Sequence, residues 1–222
     1  MEENQNENIT QMPDILKDGN TFEQEAIKKE HAAILGKWLW ILFWLIIPTV
    51  IVGILGNESI VGQDSPVYRF GTMLSVVVGI VYGVVLLQMK GVEEKYRLAG
   101  LLSIASVVLS ILLEIIHFEH PILVLLTGVP AIALSLAAKY YEFYGHVAVL
   151  QDFDPEFSQK WKILWKWNCI IVVGMIVSTL LALFVLFLAA LLILAFAIAA
   201  VFIAIVELVY LYQMAKLFQQ YA

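Results

Sequence analysis

Long apolar runs separated by short polar connections organise most of this chain. Such runs extend from about Gly36 to Leu55, Phe70 to Met89, Leu98 to Phe118 and Pro121 to Lys139. Each has roughly the 20 apolar residues that an α-helix needs to cross a ~30 Å hydrocarbon core. From about Leu164 to Gln213 the chain is apolar for too long to be one crossing, so it divides into a fifth and a sixth span, 164–187 and 190–213. No Gly, Pro, Asn or Asp follows Ser178 to mark the turn between them. Length alone places it near Leu188 to Ala190. The competing reading is one long or broken helix, which puts the C-terminus on the opposite side. The fold predicted is an all-α bundle of six transmembrane helices over residues 36–222, with Pro48 and Pro130 inside spans one and four.

The polar segments complete this organisation. Residues 1–20 are rich in Glu, Asn, Gln and Asp and read as disordered. Residues 21–35 read as an interfacial amphipathic helix, with Thr21 as its cap and Phe22, Ala26, Ile27 and Ile34 on the membrane side. The fourth connection ends in QDFDPEFSQKWKILWKW, in which Asp154 is placed to cap a helix starting at Pro155. That helix also reads as interfacial, with Trp161 and Trp165 on one face and Lys162 and Lys166 on another. Helix-start chemistry accounts for Asp152, Asp154 and Glu156 without a cation.

Charge fixes the expected orientation. Twelve of the 13 Lys and Arg residues fall in the N-terminus, the second and fourth connections and the C-terminus; Arg69 alone falls in the opposite set. Basic residues are retained in the cytoplasm during insertion, which predicts an even span count with both termini inside. Trp38, Trp40, Trp161, Trp165 and Trp167, with Tyr140, Tyr141 and Tyr144, fall near the same interface, as an anchoring aromatic belt does. No basic region followed by a short apolar core precedes the first run, so span one is expected to act as its own insertion signal. The net charge of −6 comes from acids in the N-terminus and loops, and the basic stripe that tracks nucleic acid is absent. A single cysteine, Cys169, excludes an intrachain disulfide.

Candidate chemistry is sparse. On span three, Ala99, Ser103, Ser106, Ser110, Glu114 and His117 fall within an arc of about 80° at ~100° per residue. This small, hydroxylated stripe admits two readings. One is close packing against span two, where Gly71, Ser75, Gly79 and Gly83 recur every four residues. The other is a polar path that binds a proton, cation or solute through Ser103, Ser106, Ser110, Glu114 and His117. The segment EIIHFEHP also offers Glu114, His117 and His120 as candidate metal ligands, though not at the spacing of a metalloprotease helix. Glu207 is costly within span six, and is expected to be protonated or paired with Arg97, Lys166 or Tyr210. His31 and His146 read as isolated, satisfied or solvated side chains. No phosphate loop, nucleophile elbow or catalytic carboxylate pair is present, so neither an enzyme nor a cofactor is expected.

The stretches EEKYRLAGLL (Glu93 to Leu102) and YYEFYGHVAVLQDFDPEFSQKWKILWKW (Tyr140 to Trp167) resemble a pattern in small bacterial polytopic membrane proteins of unassigned activity. The resemblance implies a multi-pass protein of the bacterial cytoplasmic membrane. By helix number and length alone, the chain is also similar to the substrate-binding subunits of energy-coupling-factor vitamin transporters, without a shared motif. The function expected is a non-enzymatic accessory or scaffold subunit, with the lipid bilayer and other membrane proteins or a second copy as partners. The alternative is a small transporter or solute-binding subunit using the span-three stripe.

Overall fold

The computed structural model describes residues 14–56, 61–62, 64–116 and 121–222. Side chains are described from Glu25 onward in the first helix, up to Leu113 in the third and from Val129 in the fourth. Six helices account for the described structure: α1 (Asp14–Leu55), α2 (Pro66–Gln88), α3 (Glu94–Ile116), α4 (Pro121–Gln151), α5 (Pro155–Leu181) and α6 (Leu186–Tyr221). Among the described residues, five segments are long and apolar enough to cross a membrane: Glu25–Leu55, Pro66–Gln88, Glu94–Leu113, Pro155–Leu181 and Leu186–Tyr221.

Helix starts follow from local chemistry. Ser65 accepts a hydrogen bond from the Val67 amide at 3.2 Å, with Pro66 opening α2. Asp154 accepts one from the Phe157 amide at 2.9 Å, with Pro155 opening α5, as its sequence indicates. Along the apolar helices, hydroxyls turn back on their own backbone. Thr49 donates to the Leu45 carbonyl at 2.7 Å, and Ser178 to that of Gly174 at 2.7 Å. Each satisfies its proton without a partner helix.

The helices close into a ring. Each packs against its neighbours in sequence, and α6 returns to α1. Adjacent helices run antiparallel: Leu55 lies against Gly71, Gly83 against Gly100, Tyr96 against His146, Val147 against Ser158 and Gly174 against Phe196. The ring closes where Gly36 meets Phe218 and Gln219. Helices α2 and α3 approach closely. A Cβ on Gly100 would stand 2.6 Å from the Gly83 carbonyl oxygen, and one on Gly83 would stand 2.6 Å from Ile104 Cγ1. Gly71 is held as closely to α1, 2.5 Å from the Leu55 carbonyl carbon by the same construction, and Gly79 sits over a methyl of Val107. Small residues thus let the backbones approach, as membrane helix pairs require. Ala99 is fully buried in the same part of the ring.

Several sequence expectations are corrected. Helix α1 is continuous from Asp14, so residues 14–20 are helical, and no bend separates residues 21–35 from span one. Residues 21–35 contain neither Gly nor Pro to end the helix. Likewise the segment after Asp154 is the first turns of α5, not a separate interfacial helix. Its Trp161 is fully buried against Phe143, at a centroid distance of 5.2 Å and an angle of 82°, and does not belong to an interfacial belt. Helix α4 runs on from Lys139 to Gln151. The reversal between α5 and α6 falls at Ala182–Val185, while Leu188–Ala190 lie inside α6. Short-range bonds make it: the Phe184 and Val185 amides both donate to the Leu181 carbonyl, at 3.0 and 2.9 Å. This removes the single-long-helix reading. The apolar tip is bare, with Leu183 78% and Phe184 83% exposed.

Candidate functional site

The side chains that matter most project from one face of α4. Lys139, Glu142 and His146 are spaced i, i+3 and i+7, which stacks them along a single helix stripe. Lys139 Nζ donates to Glu207 Oε1 of α6 at 2.5 Å and to Glu142 Oε2 at 3.4 Å. Tyr82 of α2 donates its hydroxyl proton to Glu142 Oε1. One turn further along, His146 Nδ1 shares a hydrogen bond with the Tyr96 hydroxyl of α3 at 2.8 Å. That approach depends on Gly145, where a Cβ would stand 2.9 Å from the Tyr96 ring. Trp161 of α5 covers the imidazole at a centroid distance of 4.4 Å. Among the described residues, His146 Nε2 and Trp161 Nε1 are buried without a hydrogen-bond partner, and Nε2 stands 3.8 Å from Glu142 Oε1.

The cluster therefore links α2, α3, α4, α5 and α6 across the ring. One ammonium faces two carboxylates, so with His146 neutral the set carries a formal charge of −1. Glu142 is sealed, whereas Lys139 and Glu207 retain side-chain exposures of 30% and 15%. What they face is a central cavity of about 520 Å³, walled by Ile46, Val50, Val52 and Val78, with Thr49, Ser75, Tyr82 and Ser103 as its hydroxyls. Thr49, Val50 and Gly53 line it and are still exposed, so the cavity is open and not sealed. Its size and lining are those of small-molecule sites: mostly apolar, with a few convergent polar groups.

The span-three stripe is divided by the structure. Ser103 reaches the cavity, and Ser106 turns to α4, where its hydroxyl lies 2.7 Å from that of Ser135. Ser110 donates to the Ser106 carbonyl of its own helix at 3.0 Å and is exposed. The side chain of Glu114 and all of His117 and His120 lie outside the described residues. Among the described residues no group of three or more His, Cys, Asp or Glu is placed to hold a metal. On α2, Ser75 and Gly79 join the cavity wall, and Gly79 and Gly83 also pack against Val107, Ile104 and Gly100, a line one residue around from the serines.

Glu207 is paired, but with Lys139 and not with Arg97, Lys166 or Tyr210. The lysine was assigned to a connection because it is the first charge after an apolar run. It sits ~18 Å short of the end of its helix at ~1.5 Å per residue. His146, read as isolated, is fully buried in the same network. The available signal was the K-x-x-E-x-x-x-H spacing itself, one charged face on a helix of otherwise apolar and aromatic residues. Comparison with protein-family models, curated proteins and solved structures finds no match, so function rests on this site.

Proposed function

We propose that the chain is a six-span membrane protein, with both termini cytoplasmic, that binds an amphiphilic small molecule in its central cavity and serves as a small transporter or solute-binding subunit. One observation carries this reading: an ion pair faces an open, mostly apolar cavity at the centre of a helix ring. Intramembrane charges are costly, and those facing a cavity mark solute or ion paths. Helix α4 supplies the sixth span, with an apolar first half of suitable length. Without Lys139, 11 of the 13 basic residues still belong to the side that carries both chain ends.

The accessory-subunit reading is less favoured because the small-residue face of α2 is used internally. Gly71, Gly79 and Gly83 hold α2 to α1 and α3, which leaves them unavailable to a partner. The test is native mass spectrometry of the protein extracted from its own membranes in mild detergent. We expect a small-molecule adduct on the natural protein that Ala204→Phe, which fills the cavity wall, removes without loss of folding. No adduct on either protein, together with a stoichiometric protein partner, would overturn the proposal in favour of a scaffold.

A further inference from the structure

We infer that the ligand of the central cavity is an organic cation, an ammonium group carried on an apolar body, recognised by Glu207. This rests on the solute-binding reading above and narrows it to a chemical class. The argument is an inventory of protons. Thr49 has committed its hydroxyl proton to the Leu45 carbonyl at 2.7 Å, and Ser75 to the Thr72 carbonyl at 2.7 Å. Tyr82 has committed its own to Glu142. A hydroxyl that has donated keeps only acceptor capacity. Lys139, the one cationic donor among the described wall residues, already gives two N–H groups to Glu207 and Glu142. Of the wall hydroxyls only Ser103 keeps an uncommitted proton among the described residues, so the polar atoms left facing the cavity are mostly acceptors, and they call for a donor.

Charge points the same way. With His146 neutral, one ammonium stands against two carboxylates, and the cluster is then completed by a single positive charge. A bare divalent ion fits poorly, because hard cations take six or more oxygen ligands and Glu207 is the one carboxylate among the described wall residues. The apolar walls and the volume of about 520 Å³ suit a hydrocarbon or aromatic body behind the charged head. An anionic ligand would meet Glu207 with only one N–H of Lys139 left to receive it.

The test compares three probes of one shape on the full chain in zwitterionic phosphatidylcholine nanodiscs: naphthylmethylammonium, naphthylmethanol and naphthoate, with empty nanodiscs subtracted. We expect the ammonium to bind about tenfold more tightly than the alcohol, the ratio of roughly one charge-assisted hydrogen bond, and naphthoate to bind most weakly. Glu207→Gln should bring the ammonium down to the affinity of the alcohol and leave the alcohol unchanged. Lys139 keeps Glu142 in that variant. Glu207→Asp should restore the preference, and the order of the probes on the natural protein decides the matter should Glu207→Gln fail to fold. Equal binding of ammonium and alcohol, or tightest binding of naphthoate, would overturn the cation while leaving the cavity as a solute site. Binding of none of the three would overturn both.

Discussion

The two ends of the helix ring are built differently. At the end where Gly36 meets Phe218, large side chains fill the centre: Trp161, Tyr96, Phe143, Phe218, Leu35 and Leu39 are all fully buried. At the other end the described buried positions are few and mostly small or β-branched, such as Val52, Gly71 and Ala189, and the α5–α6 tip is bare. The charged cluster lies between them. Its sealed members, Glu142 and His146, belong to the packed end, and its exposed members, Lys139 and Glu207, face the cavity. A rigid platform thus holds charges at the floor of an open chamber. Preorganisation of this kind lets a site bind without ordering itself first.

The largest expected effect comes from breaking the join between the two regions. Lys139→Met removes the shared cation and leaves Glu142 and Glu207 facing each other. Removing the partner of a sealed charge costs about 3–5 kcal/mol, and because Lys139 and Glu207 keep some exposure, denaturation in detergent micelles should show a loss toward the lower end of that range. An unchanged midpoint would mean that the carboxylates reach water and that the platform is not sealed. The next effect belongs to helix contact. Gly100→Val drives a Cβ onto the Gly83 carbonyl, which is backbone and cannot yield, so destabilisation of about 1–3 kcal/mol is expected. Gly79→Ala meets only a methyl of Val107 and should cost less than Gly100→Val in the same assay.

Trp161→Phe sharpens the packed side by sign as much as by size. Among the described residues the indole Nε1 is buried without a partner, and an unmade hydrogen bond of this kind carries a penalty of roughly 1–3 kcal/mol. Phenylalanine keeps the stack on Phe143 and drops the orphaned donor, so the loss of indole packing should be largely offset. A drop as large as that of Lys139→Met would show that Nε1 has an essential partner, such as a bound water bridging to His146.

Much of the architecture was legible because membrane solvation leaves few choices. Apolar runs of spanning length and caps at Asp154 and Pro155 are local signals, and the helices follow them. The α5–α6 reversal was placed several residues late because its turn contains no breaker. Its position is set by packing such as Gly174 against Phe196, which one sequence does not display. The site was half legible. Glu207 stands out as an isolated charge in an apolar run, whereas Lys139 reads as the end of a span. Hydropathy marks where a helix turns polar, not whether the polar face looks inward. Ring closure brings Glu207 to Lys139, 68 residues away, and that is a tertiary fact.

The smallest effects should separate three serines that lie on one stripe. Ser106 shares a hydrogen bond with Ser135 across the α3–α4 contact. Such bonds inside membrane proteins average about 0.6 kcal/mol, so Ser106→Ala should cost roughly that much in stability. Ser103 lines the cavity, and Ser103→Ala should leave the unfolding midpoint in place while shifting solute binding. Ser110 bonds its own helix and is exposed, so Ser110→Ala should stay within about 0.5 kcal/mol and leave binding unchanged. Equal losses of binding at all three would restore the continuous polar path along α3. A loss confined to Ser103 would show that the chamber, and not the stripe, is the working feature of the ring.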